Sequence, residues 1–230
     1  IDLMYSLIHQ QVDAIVLVPI DSKALVQPAV EAVRKGIPVI NIDIQLDAQL
    51  LEQAGVEVAF VGPDNFAAAY EVGKLLGKKL RNEDKVAIIE GLAAADNAQQ
   101  RKRGFIKAIE EKGLRLVASE PADWETEKAA EVFQAMWMRY PDLKAVYCSN
   151  DAMALGVLQQ MQEKKCYLPV VGFDNDAVMK EFLSTGKLVA TADIFSSQMA
   201  VRGIEFALDV LEGRIENRGV HSTAYEIIKQ

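Results

Sequence analysis

The sequence contains few of the residues that build most catalytic and metal sites. It has two histidines and two cysteines among 230 residues. Cys148 and Cys166 lack metal-site spacing, and we favour two free thiols, although only the fold decides whether they could pair. Neither His9 nor His221 lies near a Ser or Cys nucleophile motif in the sequence, although the fold could still bring such groups together. Glycine-rich phosphate or dinucleotide loops are absent too, so the sequence gives no positive evidence of an enzyme, a cofactor or a metal.

Long apolar runs and an excess of positive charge are also missing. No run approaches the roughly 20 residues that a membrane-spanning helix needs. The opening stretch "IDLMYSLIHQQ" does not have the pattern of a signal peptide, as expected also for a secreted protein after processing. The net charge of −8 and the pI near 4.9 argue against a nucleic-acid partner, which would require clustered Lys and Arg.

Apolar strand-like runs alternate with longer segments of helical periodicity almost from end to end. Strands are predicted at "DAIVLVP", "IPVINID", "VAFVGP", "KVAIIEG", "LRLVASE", "KAVYCSN", "LPVVGFD" and "KLVATAD". Helices are predicted between them, for example at "NFAAAYEVGKLLGKKL" and "SSQMAVRGIEFALDVLEG". This alternation predicts the α/β class, with parallel sheets covered by helices.

Polar and aromatic residues follow several of these strands. Asp43 ends "PVINID", Trp124 ends "EPADW", Asn150 ends "VYCSN" and Asp174 ends "VVGFD", while Arg101 lies near the start of a helix. Each has a structural explanation as a helix cap, a core aromatic or a surface cation. Together they offer hydrogen-bond acceptors, donors and a flat apolar face. That combination suits a ligand rich in hydroxyl groups, such as a sugar.

Five stretches in order show a family resemblance. The stretches are "VDAIVLVPIDSKALVQPAVEAVRKGIPVINID", "NAQQRKRGF", "EPADW", "CSNDAMALGVL" and "VVGFDNDAVMKEFLSTGKLVAT". They resemble the ribose-type periplasmic sugar-binding proteins that feed ABC importers. The resemblance implies two doubly wound parallel-sheet lobes joined by a three-segment hinge, with the ligand held in the cleft between them. It places the first lobe at residues 1–62 plus 195–222 and the second lobe at 63–194 plus 223–230. The three crossings between the lobes are expected near 62–64, 194–196 and 222–224.

The resemblance also assigns ligand contacts. Carried over residue by residue, these are Asp43, Arg101, Trp124, Asn150 and Asp174. Asp151 is expected to support its loop and cap the helix. Two positions depart from the pattern of ribose binders, because Ile44 and Ile194 stand where that family has Arg and Gln. Methyl groups there would leave sugar hydroxyls unmatched, at roughly 1–3 kcal/mol each, so the identity of the sugar stays open.

The resemblance further implies a role and a location. The expected protein is a monomer that passes a monosaccharide or polyol to ABC permease subunits, periplasmic or extracellular and membrane-associated through that permease. Family members begin with a strand, a helix and a second strand, about 50 residues in all, before the helix that opens this chain. The chain is therefore expected to lack that segment. Its first lobe would then be incomplete, with unpaired strand edges, unless another chain or a rearrangement fills the gap. Two alternatives share the fold, namely the effector-binding core of a lactose-repressor-type regulator and the sensing domain of a receptor.

Overall fold

The structure is a computed structural model that describes residues 1–229. Gln230, which the sequence prediction assigned to the second lobe, lies outside the described residues. The helices, in chain order, are α1 Asp2–His9, α2 Val26–Arg34, α3 Ala48–Gln53, α4 Asn65–Gly77, α5 Asp96–Lys112, α6 Thr126–Arg139, α7 Asp151–Glu163, α8 Lys180–Ser184 and α9 Ser196–Leu211. The strands are β1 Ile15–Leu17, β2 Val39–Ile42, β3 Ala59–Pro63, β4 Lys85–Glu90, β5 Arg115–Pro121, β6 Ala145–Cys148, β7 Val170–Val171, β8 Leu188–Asp193, β9 Val220–Thr223 and β10 Glu226–Lys229.

The apolar runs form two separate sheets whose strands are almost all parallel. One sheet has the strand order β1-β2-β3-β9, and the other has the order β10-β8-β7-β6-β4-β5. Every residue of β2, β3 and β6 is buried, as expected for parallel strands covered by helices on both faces. The predicted α/β class with parallel sheets is therefore confirmed. The strand β10 is an exception, because it pairs with β8 in the antiparallel sense.

The chain divides into two compact units, and the first contains the four-stranded sheet. Unit 1 consists of Ile1–Pro63, Ala94–Asn97 and Phe195–Ala224. One face of its sheet packs Ile15 and Val39 against α1 and α2, and the other packs Ile42 against Ala207 of α9. Residues 94–97 are part of unit 1, where the Ser22 N–H donates to the Ala94 carbonyl over 3.0 Å. The lobe boundaries proposed from the sequence stay a prediction.

Unit 2 contains the six-stranded sheet and most of the candidate site residues. It consists of Asp64–Ala93, Ala98–Ile194 and the described chain from Tyr225 onward. Its strands β4 to β8 run parallel, so their carboxyl ends meet at one edge of the sheet. Helices α6 and α7 pack closely on each other, since a methyl group on Gly156 of α7 would lie 2.0 Å from the Thr126 carbonyl oxygen of α6. Loops at that edge are the usual ligand positions of such a sheet.

The sequence prediction missed two short helices and two strands. These are α3, α8, β9 and β10. Both strands lie at sheet edges, and most of their residues are exposed or half-buried, with Val220 64% exposed. A short strand at an edge needs no continuous apolar run, so its sequence lacks the signal by which the central strands were found.

Several features of the described chain bear on possible function. No helix within residues 1–229 is long and apolar enough to cross a membrane. In the same range, no three His, Cys, Asp or Glu side chains lie close enough to hold a metal ion together. Cys148 is a buried free thiol and Cys166 a half-buried one, and burial raises the pKa of both thiols.

Candidate functional site

Arg101 lies in the interior of unit 2 and is not a surface cation. The residue is on α5 and is only 3% exposed. Its Nε donates to Asn65 Oδ1 over 2.9 Å, and its Nη1 donates to the Ser149 carbonyl over 2.8 Å. The guanidinium also lies over the ring of Phe173, with 3.7 Å between Cζ and the ring centroid. Three elements of unit 2 therefore hold Arg101 in one orientation.

Asp174 follows β7 at the carboxyl edge of the sheet and approaches this guanidinium. Its Oδ1 lies 3.4 Å from Arg101 Nη1, and its side chain is 30% exposed. Its backbone N–H donates to the Ala192 carbonyl over 2.7 Å, which ties the residue to β8. Its φ is 108°, a conformation that L residues seldom adopt. A constrained backbone thus holds a partly exposed carboxylate beside a buried cation, as binding sites often do.

Trp124 supplies an aromatic face to the same cluster. Its ring centroid lies 5.6 Å from Arg101 Cζ, and the side chain is half-buried. Its φ of 71° is unusual for a bulky residue, and Asp123 before it also has a positive φ of 52°. The indole lies against Gly91, where an added methyl group would be 2.1 Å from the indole Cη2. Only a glycine at position 91 accommodates the ring in this place.

Asn150 lies next to the cluster but also has a structural role. Its Oδ1 accepts from the Met153 N–H over 2.9 Å and so caps α7. The expectation that Asp151 would cap this helix was therefore wrong, whereas its expected support of a neighbouring loop is seen in its hydrogen bonds. The cap uses the oxygen of Asn150, so its amide N–H groups can still serve as donors to a ligand.

Asp43 belongs to unit 1, where it follows β2. Its φ is 65°, and its N–H donates to the Val61 carbonyl over 3.3 Å. The buried side chain of Asn41 shapes this turn, because it donates to the Ile44 carbonyl over 2.8 Å and accepts from the Leu46 N–H over 2.7 Å. The structure thus brings Arg101, Trp124 and Asp174 together within unit 2. Asp43 lies at a strand end of unit 1.

The sequence analysis missed Asn65 and Phe173, which both contact Arg101. Asn65 is 1% exposed and begins α4 directly after Asp64, whose side chain caps that helix by accepting from the Ala67 N–H. The stretch "GPDN" therefore has the same signal as "CSND", namely two polar residues at a strand-to-helix junction. Phe173 is fully buried and was interpreted only as the end of a strand. Nothing local to its sequence indicates the guanidinium on its ring.

A family description matches nearly the whole chain. The periplasmic binding protein domain matches residues 1–215. The chain belongs to the periplasmic binding protein family. Membership implies a periplasmic location, and the similar proteins described next are named for binding rather than for an enzymatic reaction.

Relatives of this periplasmic binding protein bind sugars. The D-ribose/D-allose-binding protein of Pseudomonas aeruginosa is 41% identical, with 99% of this chain and 73% of that protein covered. The structure is also similar to that of an ABC transporter solute-binding protein of Burkholderia multivorans, solved with an unknown ligand, with a TM-score of 0.95 and 39% identity. The match covers 99% of this chain and 81% of that protein's chain. A protein of Actinobacillus succinogenes solved with bound D-allose has a TM-score of 0.92 at 32% identity, covering 99% and 82%.

Proposed function

We propose that this chain is the solute-binding component of an ABC importer and that its ligand is a monosaccharide or a related polyol. The proposed ligand contacts are Asp43, Arg101, Trp124, Asn150 and Asp174. The proposed partners are the permease subunits, through which the protein associates with the membrane, and the intact protein works as a monomer without turnover of its ligand.

The observation that carries this proposal is the cluster around Arg101 in unit 2. The cation is buried and already oriented by Asn65 and Ser149, so a ligand does not have to order it. Asp174 is a partly exposed acceptor, and Trp124 offers a flat apolar surface. A sugar has hydroxyls that both donate and accept and a C–H face that packs on an aromatic ring, so its chemistry matches this set.

The identity of the sugar depends on positions where this chain lacks polar groups. Ile44 is half-buried, and Ile194 is 4% exposed. Neither side chain can pair with a hydroxyl, so a sugar that places hydroxyls there would lose hydrogen bonds that it makes in water. D-Allose and D-ribose are the first candidates, because the proteins described above bind them.

Thermal unfolding and calorimetry with sugars test the proposal. A ligand that binds only the native protein at a hundredfold excess over its Kd stabilises it by about 2.7 kcal/mol, so D-allose or D-ribose should raise the Tm. L-Ribose is the matched control, since it has the same groups in mirror-image arrangement and should leave the Tm unchanged. A shift with amino acids or nucleosides but with no sugar or polyol would refute the proposed ligand class. Nuclear magnetic resonance of the added sugar after incubation should show no product.

A further inference from the structure

Asp151 is a buried carboxylate beside the candidate site, and it is not one of the proposed ligand contacts. The residue is 0% exposed and lies in the first turn of α7. Its Oδ2 accepts from the Asp176 N–H over 2.9 Å, and its Oδ1 accepts from the Thr191 hydroxyl over 2.9 Å. Its own N–H donates to the Phe173 carbonyl over 2.7 Å. Asp151 therefore contacts both ends of the segment that carries Asp174.

Thr191 links the same segment to β8. Its Oγ1 donates to Asp151 and also accepts from the Asn175 N–H over 3.2 Å. Asn175 has a φ of 58°, directly after Asp174 with its φ of 108°. Two consecutive residues in left-handed conformations are unfavourable unless their surroundings fix them. The hydrogen bonds that Asp151 and Thr191 accept from Asp176 and Asn175 help to fix this pair, together with the bond from the Asp174 N–H to the Ala192 carbonyl and the bond from Asn175 Nδ2 to Asp193 Oδ2 over 2.9 Å.

A carboxylate is costly to bury, so its position calls for a reason. The helix cap is made by Asn150, so Asp151 is not needed for that role. Among the ion pairs of residues 1–229 none involves Asp151, and the charged groups that face it are the carboxylates of Asp174 and Asp176. The N-terminus of α7 offsets part of the charge, since its backbone dipoles favour an anion. The hydrogen bonds by which Asp151 fixes the 173–176 loop offset the cost of burying its carboxylate.

We propose that Asp151 and Thr191 are positioning residues that hold the 173–176 loop so that Asp174 is oriented toward Arg101 and the ligand. This inference rests on the proposed function, since it assigns Asp174 a ligand. Space around the carboxylate agrees with a fixed position, because a methyl group on Gly172 would lie 2.0 Å from Asp151 Oδ1.

The protonation of Asp151 gives a readout that an ordinary structural residue would not. Burial and the carboxylates of Asp174 and Asp176 raise the pKa of Asp151 to about 7, against the two hydrogen bonds that lower it. The thiol of Cys148 is the other titratable group that faces it, and burial keeps that thiol protonated near neutral pH. A proton on Asp151 removes an acceptor from the loop. Affinity for the sugar should therefore rise as the pH increases from 6 to 8, and Asp151→Asn should lack this dependence.

A matched pair of variants at Thr191 tests the proposal without removing a charge. Thr191→Val keeps the shape and removes the hydroxyl, whereas Thr191→Ser keeps the hydroxyl. By calorimetry with D-allose and D-ribose, Thr191→Val should bind about tenfold more weakly, a loss of about 1.4 kcal/mol, and Thr191→Ser should stay within about twofold. Val157→Ala is the control for a general loss of stability, because Val157 is buried on α7, the helix that contains Asp151, and is not part of the 173–176 loop. It should lower the Tm and leave the affinity within about twofold.

Amide hydrogen exchange separates this inference from the proposed function. The N–H groups of Asn175 and Asp176 should exchange faster in Thr191→Val and in Asp151→Asn than in the parent, with or without sugar. If the parent binds no sugar or polyol, the proposed function fails, and exchange alone then decides whether the loop is held as described. Unchanged exchange of both amides in Thr191→Val would overturn the positioning role, as would parent-like affinity in that variant.

Discussion

Replacing Arg101 should destabilise unit 2 by several kcal/mol, because the guanidinium satisfies buried acceptors as well as facing the candidate site. Asn65 is 1% exposed and Ser149 is 0% exposed, and both accept hydrogen bonds from Arg101. In Arg101→Met each acceptor loses its donor, at roughly 1–3 kcal/mol per group. The contact with Phe173 contributes about 1 kcal/mol more. The ion pair with Asp174 adds little, since that carboxylate is 30% exposed and screened by water.

The expected loss of about 3–7 kcal/mol is a large part of the stability of a typical domain. Both tryptophans, Trp124 and Trp137, lie in unit 2, so their fluorescence during urea unfolding follows that unit. Arg101→Lys should lose about half as much, because an ammonium group can reach one of the two acceptors but does not match the planar fork. Arg103→Met is the matched control, since Arg103 is exposed on the same helix and its replacement should change the unfolding free energy by less than ~0.5 kcal/mol.

The result that would refute this reasoning is a loss below ~1 kcal/mol in Arg101→Met, no larger than an ordinary substitution. Asn65 and Ser149 would then be satisfied by other groups, and the buried guanidinium would serve the ligand alone. A loss in Arg103→Met equal to that in Arg101→Met would also refute it, because the effect would then belong to α5 in general and not to the buried cation.

Further predictions concern the ligand and the pH. Asp174→Asn keeps a residue that tolerates left-handed backbone, so it should bind the sugar about a hundredfold more weakly, some ~2.7 kcal/mol by calorimetry, with little change in stability. Trp124→Phe should abolish the ligand-dependent change in emission, since Trp137 lies within α6 and packs against Phe133; a change that persists would contradict this. Gly91→Ala should shift the emission of the unliganded protein, because the methyl would lie 2.1 Å from the indole. The pKa of Asp151 is about 7 in the folded chain and 3.8 ordinarily. Between pH 3.8 and pH 7 the folded form therefore binds a proton that the unfolded form has released. The contribution of Asp151 to the free energy of unfolding should fall as the pH rises through this range. In the parent, urea unfolding should give a free energy of unfolding about 3–4 kcal/mol lower at pH 8 than at pH 4 from this cause, and Asp151→Asn should lack this difference. Equal changes of the unfolding free energy with pH in the parent and in Asp151→Asn would contradict the prediction.

The architecture could be predicted because central parallel strands have a strong local signal. Strands such as β4 and β6 are covered on both faces, so their residues are apolar except for Lys85 and Glu90 at the two ends of β4. The helices between them pack one face on the sheet and therefore show a period of 3.6 residues. The strands β9 and β10 were missed since they lie at edges, where pairing with β3 and β8 holds them and burial contributes little.

The positions of the candidate site residues were predictable only where topology fixes them. In a parallel sheet the polar residue after each strand lies at one known edge, which is how Asp174 and Asn150 were found from sequence. The direction of a side chain on a helix has no such rule. Arg101 points inward because it meets Asn65, 36 positions earlier, and Ser149, 48 positions later. Such separations are set by the fold, so the sequence around Arg101 could not distinguish a buried cation from a surface one.

The adjacent pair Asn150 and Asp151 shows how a shift of one residue changes the assigned role. Both side chains can cap a helix, and helix starts are uncertain by one or two positions in sequence. The cap must have an extended backbone and reach the amide three residues on, and Asn150 meets both conditions with φ −151° and its bond to Met153. Asp151 is then the first helical residue, and its side chain is directed to Thr191, 40 positions later. The helix start therefore decides that Asn150 stays half-buried at the edge of the sheet while Asp151 is fully buried behind the loop.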